Sequence, residues 1–137
     1  TFRAMKTMRL SSGLSLTVRQ QRKGHHALGG GPGGTVWPAG EALVQWLVAQ
    51  REGTHALLVS EVASAPLGSV LELGAGTGLT SIALSLLGSP RVTATDGDPV
   101  SCDLCSENAE LSGATSVSSG VLEWGSSKDL QDTLALA

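Results

Sequence analysis

The sequence predicts an α/β protein built on a doubly wound parallel sheet. Three observations carry that expectation. Strand-like and helix-like segments alternate from residue 70 onward. The first of these strands, Val70 to Leu73, runs directly into a turn with glycine at positions 74, 76 and 78. An acid, Asp96, closes the second strand about 20 residues past that turn, the offset of a ribose-binding carboxylate.

Each element follows from local pattern. Leu14, Leu16 and Val18 alternate with Ser15, Thr17 and Arg19, the period-two signature of a half-buried strand. Gly24 to Gly34 is dense in glycine, includes Pro32, and reads as a loop. Pro38 can open a helix, and Ala39, Leu43 and Leu47 recur at helical spacing with Trp46 beside them. Gly53 and Thr54 suggest a break, and Ala56 to Ala63 an extension or second helix before Pro66. Val70 to Leu73 is a short buried strand, Leu79 to Leu87 a helix, and Gly88-Ser89-Pro90 a turn. Arg91 to Thr95 is the second strand. Asp98 reads as the N-cap of a helix from Pro99 to about Ser112. Val117 to Leu122 is a third strand diluted by serines, and Ser126 to Ala137 can begin another helix.

This βαβαβ order implies right-handed crossovers, with the third strand outside the second and the first strand central to a complete sheet. The expected division is 1–36, an N-terminal strand and Gly-rich loop, and 37–137, the ligand-binding half of an α/β domain. Ligand belongs at the carboxyl ends of the strands, beside the first strand.

The glycine turn defines the chemistry. Strand, glycine turn and helix bring backbone N–H groups and a positive partial charge up to a nucleotide. A dinucleotide fingerprint requires Gly-x-Gly-x-x-Gly, and the third glycine would fall on Leu79. The chain instead reads Glu72-x-Gly74-x-Gly76-x-Gly78. That form resembles motif I of the S-adenosylmethionine-dependent methyltransferases, in which an acid before the turn helps hold the ligand's ammonium. Asp96 suits the ribose of either cofactor; Asp96-Gly97-Asp98-Pro99 is also plain turn chemistry.

Composition narrows the rest. The chain has 137 residues, 41% hydrophobic but only 3% aromatic, so the core must come from Leu, Val and Ala. A formal charge of −3 gives no electrostatic footprint for nucleic acid. The basic residues between Arg3 and Lys23 read as a solvated surface. No apolar run reaches the ~18 residues of a membrane span. No secretory signal pattern is present, so a cytoplasmic or nuclear setting is expected. The chain opens on Thr1 rather than Met, so part of the natural chain is expected to precede it. Cys102 and Cys105 form a Cys-x-x-Cys, but no second pair completes a zinc site. They read as small apolar helix residues, and no metal is expected. His25 and His26 have no partner ligands nearby in sequence.

Three segments together resemble the eukaryotic seven-β-strand protein-lysine methyltransferases, over roughly residues 14 to 125. They are Gly34-Thr35-Val36-Trp37-Pro38-Ala39, then Leu71-Glu72-Leu73-Gly74-Ala75-Gly76-Thr77-Gly78-Leu79, and then Thr95-Asp96 with Asn108 and Leu122-Glu123-Trp124-Gly125. The resemblance implies S-adenosylmethionine as cofactor and a lysine side chain of a protein as acceptor. It implies that Trp37 borders the cofactor, and that Gly74, Ala75 and Gly76 face its amino acid portion. Asp96 would bind its ribose, and Trp124 would lie near its adenine. Read without the family, either Trp is equally at home in a core. The family's Asp-x-x-Tyr-like motif, tied to placing the substrate amine, follows a fourth strand. It does not occur here, so no catalytic residue is named and a C-terminally incomplete domain is expected. Three functions stay open: a protein-lysine methyltransferase, a non-catalytic cofactor-binding or scaffolding product, and a methyltransferase acting on arginine or a small molecule.

Overall fold

The computed structural model describes residues 4–11, 13–21, 32–52 and 67–136. The expected helix over Ala56–Ala63 and the pair His25 and His26 lie outside the described residues.

Strand β1 (Ala4–Ser11) pairs antiparallel with β2 (Leu14–Gln20) around Gly13. Only β2 was legible as a strand. In β1 the inward positions include Lys6, opposite Val18, which breaks the apolar alternation. Lys6 resolves the conflict by reaching Glu41 with its ammonium at 2.8 Å. Met8, Leu10, Leu16 and Val18 are buried at 7%, 1%, 1% and 0% exposure, so one face of the hairpin is core.

Pro32–Gly34 forms a single 3-10 turn, and helix α1 covers Pro38–Arg51 with Pro38 in its first turn. The core face of α1 differs from the expectation. Val44 is fully buried, while Ala39 is exposed and Leu43 is 44% exposed. Apolar residues surround this helix on most sides, so spacing alone does not select the buried stripe.

The α/β part follows the expected order: β3 (Val70–Leu73), α2 (Leu79–Leu86), β4 (Val92–Asp96), α3 (Pro99–Ser112), β5 (Val117–Val121) and α4 (Ser127–Leu136). The strands form a parallel sheet in the order β3-β4-β5. As the middle strand, β4 is buried on both faces, with Val92, Thr93, Ala94 and Thr95 at or below 1% exposure. The expected burial of β3 is not met: among the described residues it pairs on one side only, and Leu71 and Leu73 are 45% and 55% exposed.

Helix α3 starts as the sequence requires. Asp98 Oδ1 accepts from the Val100 N–H at 3.1 Å, and Asp98 Oδ2 accepts from the Ser101 hydroxyl at 3.0 Å. Helices α2 and α3 pack on each other and on β4. A single cluster joins Met8, Leu10, Leu16 and Val18 of the hairpin to Val44, Leu79, Ile82, Ala83 and Ala109. Burying a Leu or Ile side chain stabilises by roughly 1.5–3 kcal/mol, so this cluster firmly fixes the hairpin beside the glycine turn.

Candidate functional site

The chain crosses from β3 to α2 through Gly74 to Gly78, at the carboxyl end of the sheet. Two glycines are required by close approach. Gly76 has φ +55°, and a Cβ there would lie 2.7 Å from the Gly33 carbonyl oxygen. Gly78 has φ +79°, and its Cβ would lie 2.5 Å from the Cys105 sulfur. Gly78 then serves as the N-cap of α2 with no side-chain cap, leaving helix N–H groups at the turn. In front of Gly74, by contrast, nothing stands within 4 Å of the Cβ position.

That open space belongs to a cleft of about 240 Å³ lined by Gly33, Val36, Trp37, Glu72, Gly74 and Gly76, among others. Five of the residues expected at a cofactor therefore meet there: Trp37, Glu72, Gly74, Ala75 and Gly76. Trp37 is anchored by its indole N–H, which donates to the Pro32 carbonyl at 3.1 Å, and its ring is 60% exposed. A larger hollow of about 460 Å³ lies between α3 and β5, lined by Ala109, Glu110, Ala114 and Val117, away from the turn.

Asp96 sits just outside the lining but braces it. Its Oδ2 accepts from the Gly76 N–H at 2.9 Å, and its Oδ1 accepts from the Asp98 N–H at 3.0 Å. Each oxygen keeps a lone pair for a further donor, as a ribose diol would need. Trp124 is 76% exposed and follows Leu122, whose N–H donates to the Asp96 carbonyl at 2.9 Å. Trp124 lies two residues beyond that bond and does not line the cleft.

Glu72 carries the site's perturbed acid. Burial raises its carboxyl above the ordinary value of 4.5. Hydrogen bonds from Ser81 and Thr80 pull it partly back, and the neighbouring Asp96 charge adds to the rise. The Ser81 hydroxyl donates to this carboxylate. A ligand ammonium is the charge that would favour its ionised form. The cysteines are buried and free. Burial pushes the Cys105 thiol up to about 11 and raises that of Cys102 as well, which favours the protonated thiol in both.

Sequence reasoning missed three contributors. Gly33 was read only as loop. Ser81 was read as a helix position, and the contacts of Asn108 could not be foreseen. Among the described residues no group of His, Cys, Asp and Glu could hold a metal ion. None of the helices among them is long and apolar enough to cross a membrane.

The three-stranded parallel sheet with its glycine turn has the fold of Rossmann-like methyltransferases. A SAM-dependent methyltransferase from Agrobacterium tumefaciens superposes with a TM-score of 0.52 at 21% identity, covering 84% of this chain and 31% of that one. The family model described as lysine methyltransferase matches residues 16–136, and the chain belongs to that family. Two curated relatives are ribosomal protein L11 methyltransferases. That of Myxococcus xanthus (strain DK1622) is 41% identical over 56 residues, 41% of this chain and 19% of that protein. That of Pelotomaculum thermopropionicum is 39% identical over 66 residues, 44% of this chain and 21% of that protein. The matched stretches span about a fifth of the length of these relatives.

Proposed function

We propose that this chain binds S-adenosylmethionine and forms the cofactor-holding part of a methyltransferase whose acceptor is a lysine side chain of a protein. The single observation that carries the cofactor reading is the cleft in front of Gly74, walled by Trp37 and Glu72, with Gly76 letting Gly33 pack close against the turn. Membership of the lysine methyltransferase family supports the acceptor. The L11 methyltransferases are named for a protein substrate, which favours a protein over a small molecule.

When bound, the cofactor supplies an activated sulfonium methyl group. The chain's own residues bind and orient. Glu72 would offer a carboxylate to the ammonium, and Asp96 would offer two oxygens to the ribose. Trp37 shields one side, and Trp124 offers a stacking surface on the adenine side. Methyl transfer gains mainly from alignment, an effect worth up to about 7–11 kcal/mol. The acceptor amine must also lose a proton against a reference pKa of about 10.4, which desolvation lowers.

Incubation of the full-length protein with a cell lysate and methyl-labelled cofactor tests this reading. Label recovered as N-methyllysine in protein is the expected result. Label in methylarginine or in small molecules, or saturable binding without transfer, would replace the lysine assignment.

A further inference from the structure

Asn108 is fully buried on α3, outside the cleft, and every hydrogen-bonding atom of its side chain is used. Oδ1 accepts from the Arg19 N–H at 2.7 Å. Nδ2 donates to the Arg19 carbonyl at 3.0 Å and to the Thr77 carbonyl at 2.9 Å. One turn further along α3, the Ser112 hydroxyl donates to the Thr17 carbonyl at 2.8 Å and accepts from the Thr17 N–H at 3.3 Å. Thr17 and Arg19 present both backbone groups to α3 on the edge of β2 that β1 does not occupy. Two side chains four residues apart on a helix therefore act as a substitute strand for β2.

The third bond of Asn108 gives this arrangement a consequence for the cleft. Thr77 belongs to the glycine turn, the floor of the cleft. Arg19 leads into Gln20 and Gln21, which hold the wall. The Gln20 Oε1 accepts from the Val36 N–H at 3.1 Å, and the Gln21 N–H donates to the Gly34 carbonyl at 2.7 Å. Gly33 is wedged between Ser101 and Gly76, with no room for a Cβ on the Ser101 side. One amide thus ties the floor of the cleft to the strand end that holds its wall.

We propose that Asn108 is a positioning residue that sets the spacing between the glycine turn and the Gly33–Trp37 wall, and so the affinity for cofactor. This rests on the cofactor reading given above. The wall's distance from the turn then depends on the hairpin being seated on Asn108, although the hairpin's own residues do not line the cleft.

Calorimetric titration of the chain with S-adenosylhomocysteine tests it, because a titration returns both Kd and the fraction of competent molecules. Asn108→Asp replaces the double donor with an acceptor facing two carbonyls. It is expected to raise Kd by about tenfold or more with stoichiometry unchanged. Gln20→Ala cuts the same path at the wall and is expected to raise Kd by about threefold. A merely structural role would lower stoichiometry and melting temperature while the competent fraction kept the wild-type Kd; that result in Asn108→Asp, with wild-type affinity in Gln20→Ala, overturns the proposal. If Asn108→Asp does not fold, Gln20→Ala decides alone: a raised Kd supports the proposal and an unchanged one overturns it. A wild-type chain that binds no S-adenosylhomocysteine removes the cofactor reading and this inference with it. Wild-type binding with both variants unaffected removes only the inference.

Discussion

At the residue scale, the two acids of the site are separable by experiment. Asp96 braces the Gly76 N–H and faces the expected ribose, whereas Asp98 caps α3. Asp96→Ala is expected to weaken S-adenosylhomocysteine binding by roughly 1.5–3 kcal/mol, the worth of hydrogen bonds to a charged group. Asp98→Ala is expected to cost about 1 kcal/mol of stability with much less effect on affinity; titration and thermal melting of both variants check this. Glu72 predicts a pH dependence. Its folded pKa lies above 4.5, so the folded chain takes up a proton more readily than the unfolded one. Its contribution to stability is therefore present below 4.5 and lost as pH rises through the raised value. Cofactor affinity runs the other way, because a ligand ammonium favours the ionised acid. Glu72→Gln should flatten both slopes and weaken binding at neutral pH. Most of this was legible in the sequence, since Glu72 and the glycines sit on one continuous motif and Asp96 closes the next strand at the offset of a ribose-binding acid. Asn108 was legible only as part of a family pattern: its partners, Arg19 and Thr77, come together through tertiary packing that no local spacing encodes.

At the element scale, the turn between β3 and α2 is the most constrained segment. Gly78 combines a left-handed backbone with a Cβ position overlapping the Cys105 sulfur. Gly78→Ala is expected to destabilise the chain by about 1–3 kcal/mol, measurable as a lower denaturation midpoint. Cys105→Ala beside it should relieve the clash but not the backbone strain, so the double variant recovers only part of the loss. Strand β4 and helices α2 and α3 were foreseen to within a residue or so, because glycine, proline and a capping acid punctuate them. Strand β1 escaped notice because Lys6 occupies an inward position. The buried face of α1 was misjudged because its sequence is apolar nearly all round.

At the scale of the whole molecule, order β3-β4-β5 matches the expected half of a doubly wound sheet. Leu71 and Leu73 stand exposed on β3, which is unpaired on one side among the described residues. An apolar edge of this kind is a template for strand addition. Residues 1–137 alone are expected to self-associate, and Leu73→Lys to raise the monomer fraction in sedimentation. A monodisperse wild-type chain would contradict that. The central claim is the identity of the ligand at Gly74 to Gly78, and titration of the folded protein with S-adenosylhomocysteine and, separately, NAD tests it most directly. The account predicts saturable one-to-one binding of S-adenosylhomocysteine and no response to NAD. Tight NAD binding with no response to S-adenosylhomocysteine would contradict it.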